Sequence, residues 1–356
     1  MMVIRPINKG DFDSLCHLAK NTGIGVTSLP DNPDLLQAKI DRAEESFAKK
    51  IDPDHAKYMF VLEDTETKTV VGLCGIEAKV GLEEVWYNYR ISTTVNASTE
   101  LGVHKQTPTL YLTNDLTGCS EVCSLFLDAD YRKNSNGLLL SKSRFLFFAD
   151  FPDMFSEKVF AEMRGVSDEQ GNSPFWDALG KKFFTMDFSR ADYLSGASGK
   201  SFIAELMPKH PIYLPFLSDE AQAVVEKVHD NTVPARAMLE SEGFNFNGFI
   251  DIFDGGPAIE AFVNNIRAVR ESFKRHALVV KNPKEQSHDD DDQLKNSRLK
   301  NLYLVSNRSF SNFRVALVPA SSIRQDTIDI PAELAEHLQI RSGDVLRAVS
   351  LREAKR

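Results

Sequence analysis

The sequence predicts an α+β fold, in which a mixed, mainly antiparallel sheet is flanked by helices. β-rich runs separated by polar turns occupy much of residues 58–127, which is typical of antiparallel hairpins. Residues 1–20 place a strand before a helix, and an apolar helical run covers residues 138–149. Together these observations indicate a sheet built largely from hairpins, with helices packed against it.

The chain opens with a short strand at residues 3–7 and a helix that Asp11 could cap. A loop punctuated by glycine and proline, NTGIGVTSLP, then leads to a second helix over residues 35–50. This order gives a β-α opening, with the loop lying between two helices.

Five further strands are predicted before the middle of the chain. The last of them, CSEVCSLFL, enters the turn DADYRKNSNG and is followed by the apolar helix. Strand, turn and helix therefore form the central unit of the predicted fold. The five strands cover residues 58–63, 69–78, 86–94, 109–113 and 119–127.

The second half of the chain indicates further domain organisation. Mixed signals continue to residue 280, with helices predicted at 174–182 and around 219–228. Apolar residues nearly vanish in KNPKEQSHDDDDQLKNSRLK, so residues 281–300 are interpreted as a charged linker or loop, and HDDDD as a solvated acidic run. Residues 301–356 alternate strand-like runs with one short amphipathic helix, which predicts a small β-barrel-like domain after a main domain of residues 1–280.

Composition excludes several classes of protein. With 42% hydrophobic and 26% charged residues, the chain lies away from the disordered class. The net charge of −9 opposes binding to a polyphosphate backbone, so no nucleic-acid partner is expected. We also expect no secretory leader or membrane span, because every apolar run is shorter than the ~20 residues required, and this predicts a cytoplasmic location.

The four cysteines are interpreted as reduced, structural thiols. They are too few and too scattered for a disulfide framework. Cys119 and Cys123 could share one face of a strand, but no matching pair of metal ligands follows them. No metal site and no permanently bound cofactor are therefore expected.

The turn after the strand at 119–127 is the most informative segment. A strand running into a small-residue turn and a helix directs backbone N–H groups at one point, where a pyrophosphate gains from them and from the helix dipole. The acyl-CoA N-acyltransferase superfamily has Arg or Gln here, then Gly, then Gly or Ala. This sequence is similar, with Arg132, Ser135 and Gly137 at those places, and Ser135 departs from the usual glycine. These three residues and Asn136 are the predicted anion-binding turn.

Two other glycine-containing segments do not support nucleotide binding. Residues 196–201, GASGKS, resemble the end of a Walker A loop, but Leu194 stands where the first glycine is needed. Gly23 and Gly25 follow a helix, whereas a dinucleotide fingerprint must follow a strand.

A second segment, VHDNTVPARAMLESEGF, carries a candidate acid. Members of the superfamily often have a tyrosine four residues before Gly-Phe, and it protonates the departing thiolate. Leu239 occupies that place and has no proton to donate, whereas His229 lies just before the helix and titrates near neutral pH. The segment 173–184 also looks like the helix and glycine that close such a fold. Either segment, or a partial duplication of the fold, remains open.

Several stretches together resemble the arginine N-succinyltransferase family: MVIRPI, TGIGVTSLP, LFLDADYRKNSNG, AEMRGVSDEQGNSPFWDALGKKFF and MLESEGFNFNGFIDIFDGGP. The resemblance covers nearly the whole chain and makes residues 1–280 an acyltransferase-like catalytic domain. It implies transfer of a succinyl group from succinyl-CoA, as co-substrate, to L-arginine. It also implies that His229 is the proton donor and that Leu125 contacts succinyl-CoA.

Recognition of the acceptor is less constrained by the sequence. A guanidinium requires carboxylates, and an α-carboxylate requires donors. Asp251, Asp254 and the loop residues Thr27 and Ser28 are candidates, although each could be an ordinary turn or capping residue. An ornithine succinyltransferase and a non-catalytic CoA sensor stay open as alternatives, and the β-rich carboxy-terminal unit could serve a homo-oligomer interface.

Overall fold

The fold is given by a computed structural model that describes residues 1–21, 29–197, 206–281 and 301–352, without the side chains of residues 195–197. Fifteen strands are present in these residues. They are β1 (Met2–Pro6), β2 (Lys57–Asp64), β3 (Thr69–Glu77), β4 (Asn88–Ser98), β5 (Val103–Thr113), β6 (Ser120–Leu127), β7 (Lys158–Glu162), β8 (Ile212–Tyr213), β9 (Asn245–Ile250), β10 (Pro257–Phe262), β11 (Phe273–Val280), β12 (Leu302–Ser306), β13 (Val315–Pro319), β14 (Thr327–Pro331) and β15 (Val345–Ser350).

These strands form one sheet, in the order β14-β11-β15-β12-β13-β1-β2-β3-β6-β7-β10-β9-β4-β5-β8. Only β6–β7 and β11–β14 pair in parallel among the described residues. The predicted mainly antiparallel α+β architecture is therefore confirmed. No helix among the described residues is long and apolar enough to cross a membrane.

Ten α-helices accompany the sheet in the described part of the chain. They are α1 (Phe12–Lys20), α2 (Pro33–Phe47), α3 (Asn136–Asp150), α4 (Pro174–Ala178), α5 (Gly180–Phe184), α6 (Phe188–Ala197), α7 (Asp219–Val224), α8 (Val233–Glu240), α9 (Arg267–Glu271) and α10 (Ala332–Leu338).

Helices α2 and α3 cover opposite faces of the sheet. The side chain of Asn32 caps α2 by accepting from the N–H groups of Asp34 and Leu35, and the buried stripe of α2 packs on Met59 and Val61 of β2. Helix α3 is apolar on most sides, as expected of a helix surrounded by protein, and lies against the other face of β2, β3 and β6.

A buried ion network ties α3 to later parts of the chain. The Nζ of Lys142 on α3 lies 2.7 Å from Glu242, and the guanidinium of Arg267 lies 2.6 Å from the same carboxylate. Lys142 also donates to the carbonyl oxygen of Leu351, 3.1 Å away. Because α3 follows the predicted anion-binding turn, the network fixes that turn relative to the carboxy-terminal strands.

The carboxy-terminal strands continue the main sheet. Strand β13 pairs with β1, through Val3 with Ala316 and Ile4 with Val315. Strand β11, which lies within residues 1–280, pairs with β14 and β15 and joins their apolar cluster. The predicted linker lies outside the described residues except for Lys281, and the division into domains stays a prediction.

Two predicted helices are shorter than expected. The helix over 174–182 is divided between α4 and α5, since the backbone changes direction at Leu179 and Gly180 lies so close to Trp176 that a Cβ would be 2.2 Å from its ring. The helix around 219–228 ends at Val224, because Glu226 takes a left-handed conformation and its N–H donates to the carbonyl oxygen of Gly255.

Candidate active site

Strands β6 and β7 separate to form the candidate site. Their parallel pairing is limited, within the described residues, to Ser120 with Val159 and Glu121 with Phe160. Beyond these pairs, residues 122–127 and 161–164 line a cavity of about 1360 Å³. Cavities that hold drug-sized ligands span roughly 300 to 1,000 Å³, so this one has room for a long ligand and a second, smaller one.

A β-bulge interrupts β6 where it lines the cavity. Gly75 of β3 faces Cys123 and Leu73 faces Phe126, so Ser124 and Leu125 together face one residue of β3. Ser124 has a left-handed φ of 53°. A bulge takes one residue out of the ladder and redirects the backbone. Leu125, the predicted succinyl-CoA contact, therefore lies in a distorted strand segment beside the cavity.

The predicted anion-binding turn forms the other end of the cavity. Ser135 is the N-cap of α3 with a φ of 65°, the left-handed conformation that glycine adopts most easily. The N–H groups of Gly137 and Leu138 lie in the first helical turn and have no intrahelical acceptor. A Cβ on Gly137 would meet only Leu127, at 4.0 Å, so space is open for close approach of a ligand.

The remaining turn residues hold its shape. The Nδ2 of Asn136 donates to the carbonyl oxygen of Tyr131 at 3.0 Å, and the Nε of Arg132 donates to that of Leu127 at 3.1 Å. Asn136 is buried, so its side chain shapes the turn from inside, whereas Arg132 and Lys133 line the cavity as cations.

His229 lies at the margin of the cavity. It is half-buried, and its neighbours Arg164 and Asn231 line the cavity while His229 itself does not. Its N–H donates to the carbonyl oxygen of Arg164, and its Nδ1 accepts from the N–H of Asn231 at 3.1 Å. The neutral ring therefore carries its proton on Nε2. Burial and the Arg164 charge lower the pKa of His229, which favours the neutral ring at pH 7.

Of the two segments that could close the fold, residues 232–244 border the cavity. Thr232, Ala235 and Leu239 line it, and α8 leads through Gly243 into β9. The segment 173–184 instead packs in a separate apolar cluster with Trp176 and Phe184, away from the cavity lining. The structure thus favours the later segment as the neighbour of the site.

The two predicted acidic acceptor residues reach the cavity, but backbone N–H groups occupy both oxygens of Asp254 and one oxygen of Asp251. Asp254 is buried, and its carboxylate accepts from the N–H groups of Gly165 and Gly256. Burial and the nearby charge of Asp251 raise the pKa of Asp254 well above its usual range. Asp251 accepts from two N–H groups of its own loop. Thr27 and Ser28 lie outside the described residues.

Sequence analysis missed a group of charged residues on the α2 side of the cavity. Glu77 and Glu121 face each other across β3 and β6, and the Nζ of Lys57 lies 3.0 Å from Glu77. Lys39 lies close to Glu77, and burial lowers its pKa. The available signal was a glutamate in each of two otherwise apolar strand runs, GLCGIE and CSEVCSLFL.

Cys123 belongs to the same group. Ligand atoms of Glu77, Glu121 and Cys123 lie within 4.8 Å of one another, which is close enough to share a metal ion. Burial and the two glutamates raise the pKa of the Cys123 thiol, so the protonated form is favoured over the thiolate that binds metals. The absence of a metal site stays a prediction.

Comparisons with known proteins cover nearly the whole chain. A family model described as the arginine N-succinyltransferase beta subunit matches residues 2–268, and one for its C-terminal domain matches residues 296–350. Proteins named arginine N-succinyltransferase from Yersinia pseudotuberculosis serotype O:3 (strain YPIII) and Escherichia coli (strain K12 / DH10B) are 50% and 51% identical over 351 residues. These matches span 99% of this chain and 98% of each relative.

A solved structure agrees with these matches. The arginine/ornithine succinyltransferase subunit AI from Pseudomonas aeruginosa superposes with a TM-score of 0.88 and 33% sequence identity, over 99% of both chains. Family model, relatives and structure therefore agree along the full length. The chain belongs to the arginine N-succinyltransferase family.

Proposed function

We propose that the protein transfers the succinyl group of succinyl-CoA to the α-amine of L-arginine, giving N2-succinyl-L-arginine and CoA. The observation that carries the proposal is one cavity that joins the N-terminus of α3 to the bulge between the separating strands β6 and β7. The relatives named above, about half identical along their length, support the choice of substrates.

The cavity accommodates CoA in one direction. The pyrophosphate lies at the start of α3, where the N–H groups of Gly137 and Leu138, the helix dipole and the cations of Arg132 and Lys133 attract it. The thioester lies at the bulge, where backbone N–H groups near Leu125 stabilise the carbonyl oxygen as it gains charge. The site needs no permanently bound cofactor for this chemistry.

The reaction is a direct acyl transfer. The arginine amine nitrogen forms a bond to the thioester carbonyl carbon, and the carbon–sulfur bond breaks with its electron pair on sulfur. The proton that the amine loses neutralises the thiolate. Positioning of the two substrates lowers the barrier most. The Nε2–H of neutral His229 donates a hydrogen bond to the sulfur as its charge develops, and so assists its departure.

The acceptor side of the cavity is acidic. Asp251 and Asp254, with the loop containing Thr27 and Ser28, remain the proposed acceptor contacts. Backbone N–H groups occupy both carboxylate oxygens of Asp254, so its contribution is to shape the loop. Both N–H groups held by Asp251 bond to its Oδ1, so its Oδ2 is better placed to attract the guanidinium.

The proposal extends to the cellular location and the partners of the enzyme. The cysteines Cys16, Cys74, Cys119 and Cys123 are all free, which fits a reducing compartment and a cytoplasmic location. Small molecules are the proposed partners, without nucleic acid or membrane, and a homo-oligomer is compatible with the word subunit in the name of the Pseudomonas aeruginosa structure.

A thiol-release assay tests the proposal. Succinyl-CoA and acetyl-CoA are each combined with arginine, ornithine, lysine or no acceptor, and mass spectrometry identifies the product. We expect fast CoA release only with succinyl-CoA and arginine. A higher kcat/KM with ornithine would reassign the acceptor, and binding of CoA without acceptor-dependent release would indicate a CoA sensor instead.

A further inference from the structure

Arg144 is a fully buried guanidinium on α3. Its exposed fraction is 1%, yet it is one of the residues that line the cavity. Its Nε donates to the carbonyl oxygen of Ser141 at 3.0 Å, and its Nη2 donates to the Ser141 hydroxyl at 3.2 Å. Its Nη1 reaches the carbonyl oxygens of Cys123 at 3.3 Å and Gly75 at 3.5 Å. All four partners are neutral.

Other deeply buried cations in the described residues have carboxylate partners. Lys142, two residues before Arg144 on α3, and Arg267 share Glu242. Arg347 pairs with Asp150, whose side chain is fully buried. Arg144 makes no ion pair with any described residue. A buried charge without a paired counter-ion is disfavoured. Burial lowers the pKa of Arg144 more than the charge of Glu121 raises it, and Arg144 is the buried cation of this group that lacks an ion pair.

The guanidinium of Arg144 lies directly beside the proposed thioester position. Its Nη1 contacts the carbonyl of Cys123, the residue before the bulge at Ser124 and Leu125. In a succinyl thioester, the terminal carboxylate carbon is three C–C bonds from the thioester carbonyl carbon, roughly 4 Å when extended. The terminal carboxylate of an acyl group at the bulge is therefore within reach of the Arg144 guanidinium.

Several other cations of the cavity lie close to carboxylates. Lys57 pairs with Glu77, and Lys39 lies close to the same carboxylate. Arg164 experiences the charges of Asp254 and Asp192. Arg144 experiences the charge of Glu121 but forms no ion pair with a described residue. Arg144 also has a donor to spare, because a guanidinium has five N–H groups and four hydrogen bonds account for its contacts, the two from Nη1 being long.

We propose that Arg144 binds the terminal carboxylate of the succinyl group and so selects a dicarboxylic acyl-CoA over acetyl-CoA. The inference rests on the proposed function and deepens it, since it names the residue that determines acyl specificity. The carboxylate supplies the ion-pair partner that no described residue provides. An acyl chain that ends in a methyl group leaves the guanidinium unpaired, which disfavours its binding.

The test compares acyl donors in Arg144→Gln and Arg144→Lys. Butyryl-CoA matches the chain length of succinyl-CoA but has no carboxylate, so the ratio of their kcat/KM values with arginine isolates the carboxylate contact. For Arg144→Gln we expect kcat/KM with succinyl-CoA to fall on the order of 100-fold, and that with butyryl-CoA to stay within about threefold or rise. Arg144→Lys keeps a cation and should retain part of the succinyl preference.

Arg164→Gln is the matched control, because it removes another guanidinium from the cavity lining. We expect it to change the rates with both donors by the same factor. Thermal unfolding and CoA binding establish that each variant is folded, and if Arg144→Gln fails to fold, the ratio in Arg144→Lys decides. A ratio that stays at the wild-type value in the folded variants would overturn the inference and assign Arg144 to support of the bulge.

The wild-type protein separates this inference from the proposed function. If wild type turns over succinyl-CoA with arginine and the Arg144 variants keep the wild-type donor ratio, only the inference fails. If wild type shows no such turnover, the proposed function fails first. If wild type has equal kcat/KM values with butyryl-CoA and succinyl-CoA, the enzyme does not recognise the terminal carboxylate, and the inference is wrong.

Discussion

His229 is a residue whose pH behaviour follows from two contacts. Burial and the charge of Arg164 lower its pKa, and the N–H of Asn231 leaves the neutral ring with its proton on Nε2. The productive form is therefore the neutral one, which persists at pH values below the usual histidine pKa of roughly 6.5. Protonation of the ring at still lower pH removes the Nδ1 acceptor and disturbs the hydrogen bond that orients it.

We expect His229→Ala to lower kcat about 100-fold. With rates normalised to the concentration of neutral α-amine, the wild-type rate should be flat near pH 7 and fall at a pH below roughly 6.5. Arg164→Gln removes a neighbouring positive charge, so it should raise the pKa of His229 and move this fall to higher pH. His104→Ala, on the exposed part of β5, is the control and should match wild type. The same acid limb in His229→Ala would assign the titration to another group.

The site was only partly predictable at the level of residues. Arg132, Ser135 and Gly137 were found because an anion-binding turn is local in sequence. Arg144 was visible as a cation in the apolar run LLLSKSRFLFF, as was Lys142. Their different roles depend on partners far along the chain. Lys142 forms an ion pair with Glu242, whereas the hydrogen-bond partners of Arg144 are neutral. The local sequence does not distinguish these two environments.

The turn before α3 shows how one element depends on one conformation. Ser135 adopts a left-handed φ of 65°, which costs an L-residue roughly 1–2 kcal/mol relative to glycine. Glycine also adds entropy to the unfolded chain, by about 0.4–1 kcal/mol. The two effects oppose each other, so serine replaces the usual glycine here at a net cost on the order of 1 kcal/mol or less.

We expect Ser135→Gly to change stability by less than about 1 kcal/mol and to leave the KM for succinyl-CoA within about twofold. Ser135→Val places a β-branched residue in the left-handed region, so it should lose more than roughly 1 kcal/mol and raise that KM. Urea unfolding and initial rates measure both effects. Ser92→Val, in the extended strand β4, makes the same chemical change and should cost little. Equal effects of valine at both positions would contradict a conformational origin.

Local elements were predictable and their long-range pairing was not. The hairpin of β2 and β3 follows from alternation on either side of a polar turn, DTETK. The parallel pairing of β6 with β7 joins residues that are separated in sequence by about one helix and one loop. The pairing stops after two residue pairs, which opens the cavity, and the sequences of the two strands do not indicate where it stops. The bulge at Ser124 could not be predicted either, because the sequence CSEVCSLFL is typical of a regular strand.

At the scale of the whole molecule, the carboxy-terminal strands reach the candidate site. Leu351 follows β15, and its N–H donates to the carbonyl oxygen of Leu302 while its own carbonyl accepts from Lys142 on α3. The next residue, Arg352, is exposed and lines the cavity together with Arg132 and Lys133. Its guanidinium makes no hydrogen bond or ion pair with the described residues. The carboxy-terminal region thus adds a cation to the cavity lining, next to a residue that contacts α3.

Arg352→Ala tests whether this cation binds the nucleotide end of CoA. A charge-assisted hydrogen bond contributes about 1.5–3 kcal/mol, so the KM for succinyl-CoA should rise roughly tenfold or more at low salt and less at high salt. Succinyl-dephospho-CoA lacks the 3′-phosphate, and its KM should change little, with kcat unaltered for both donors. Arg341→Ala removes an exposed cation of the same region that does not line the cavity, and it should leave both KM values unchanged. An equal rise of KM for the two donors in Arg352→Ala would move the contact from the 3′-phosphate to the pyrophosphate, because that group is the phosphate that both donors share.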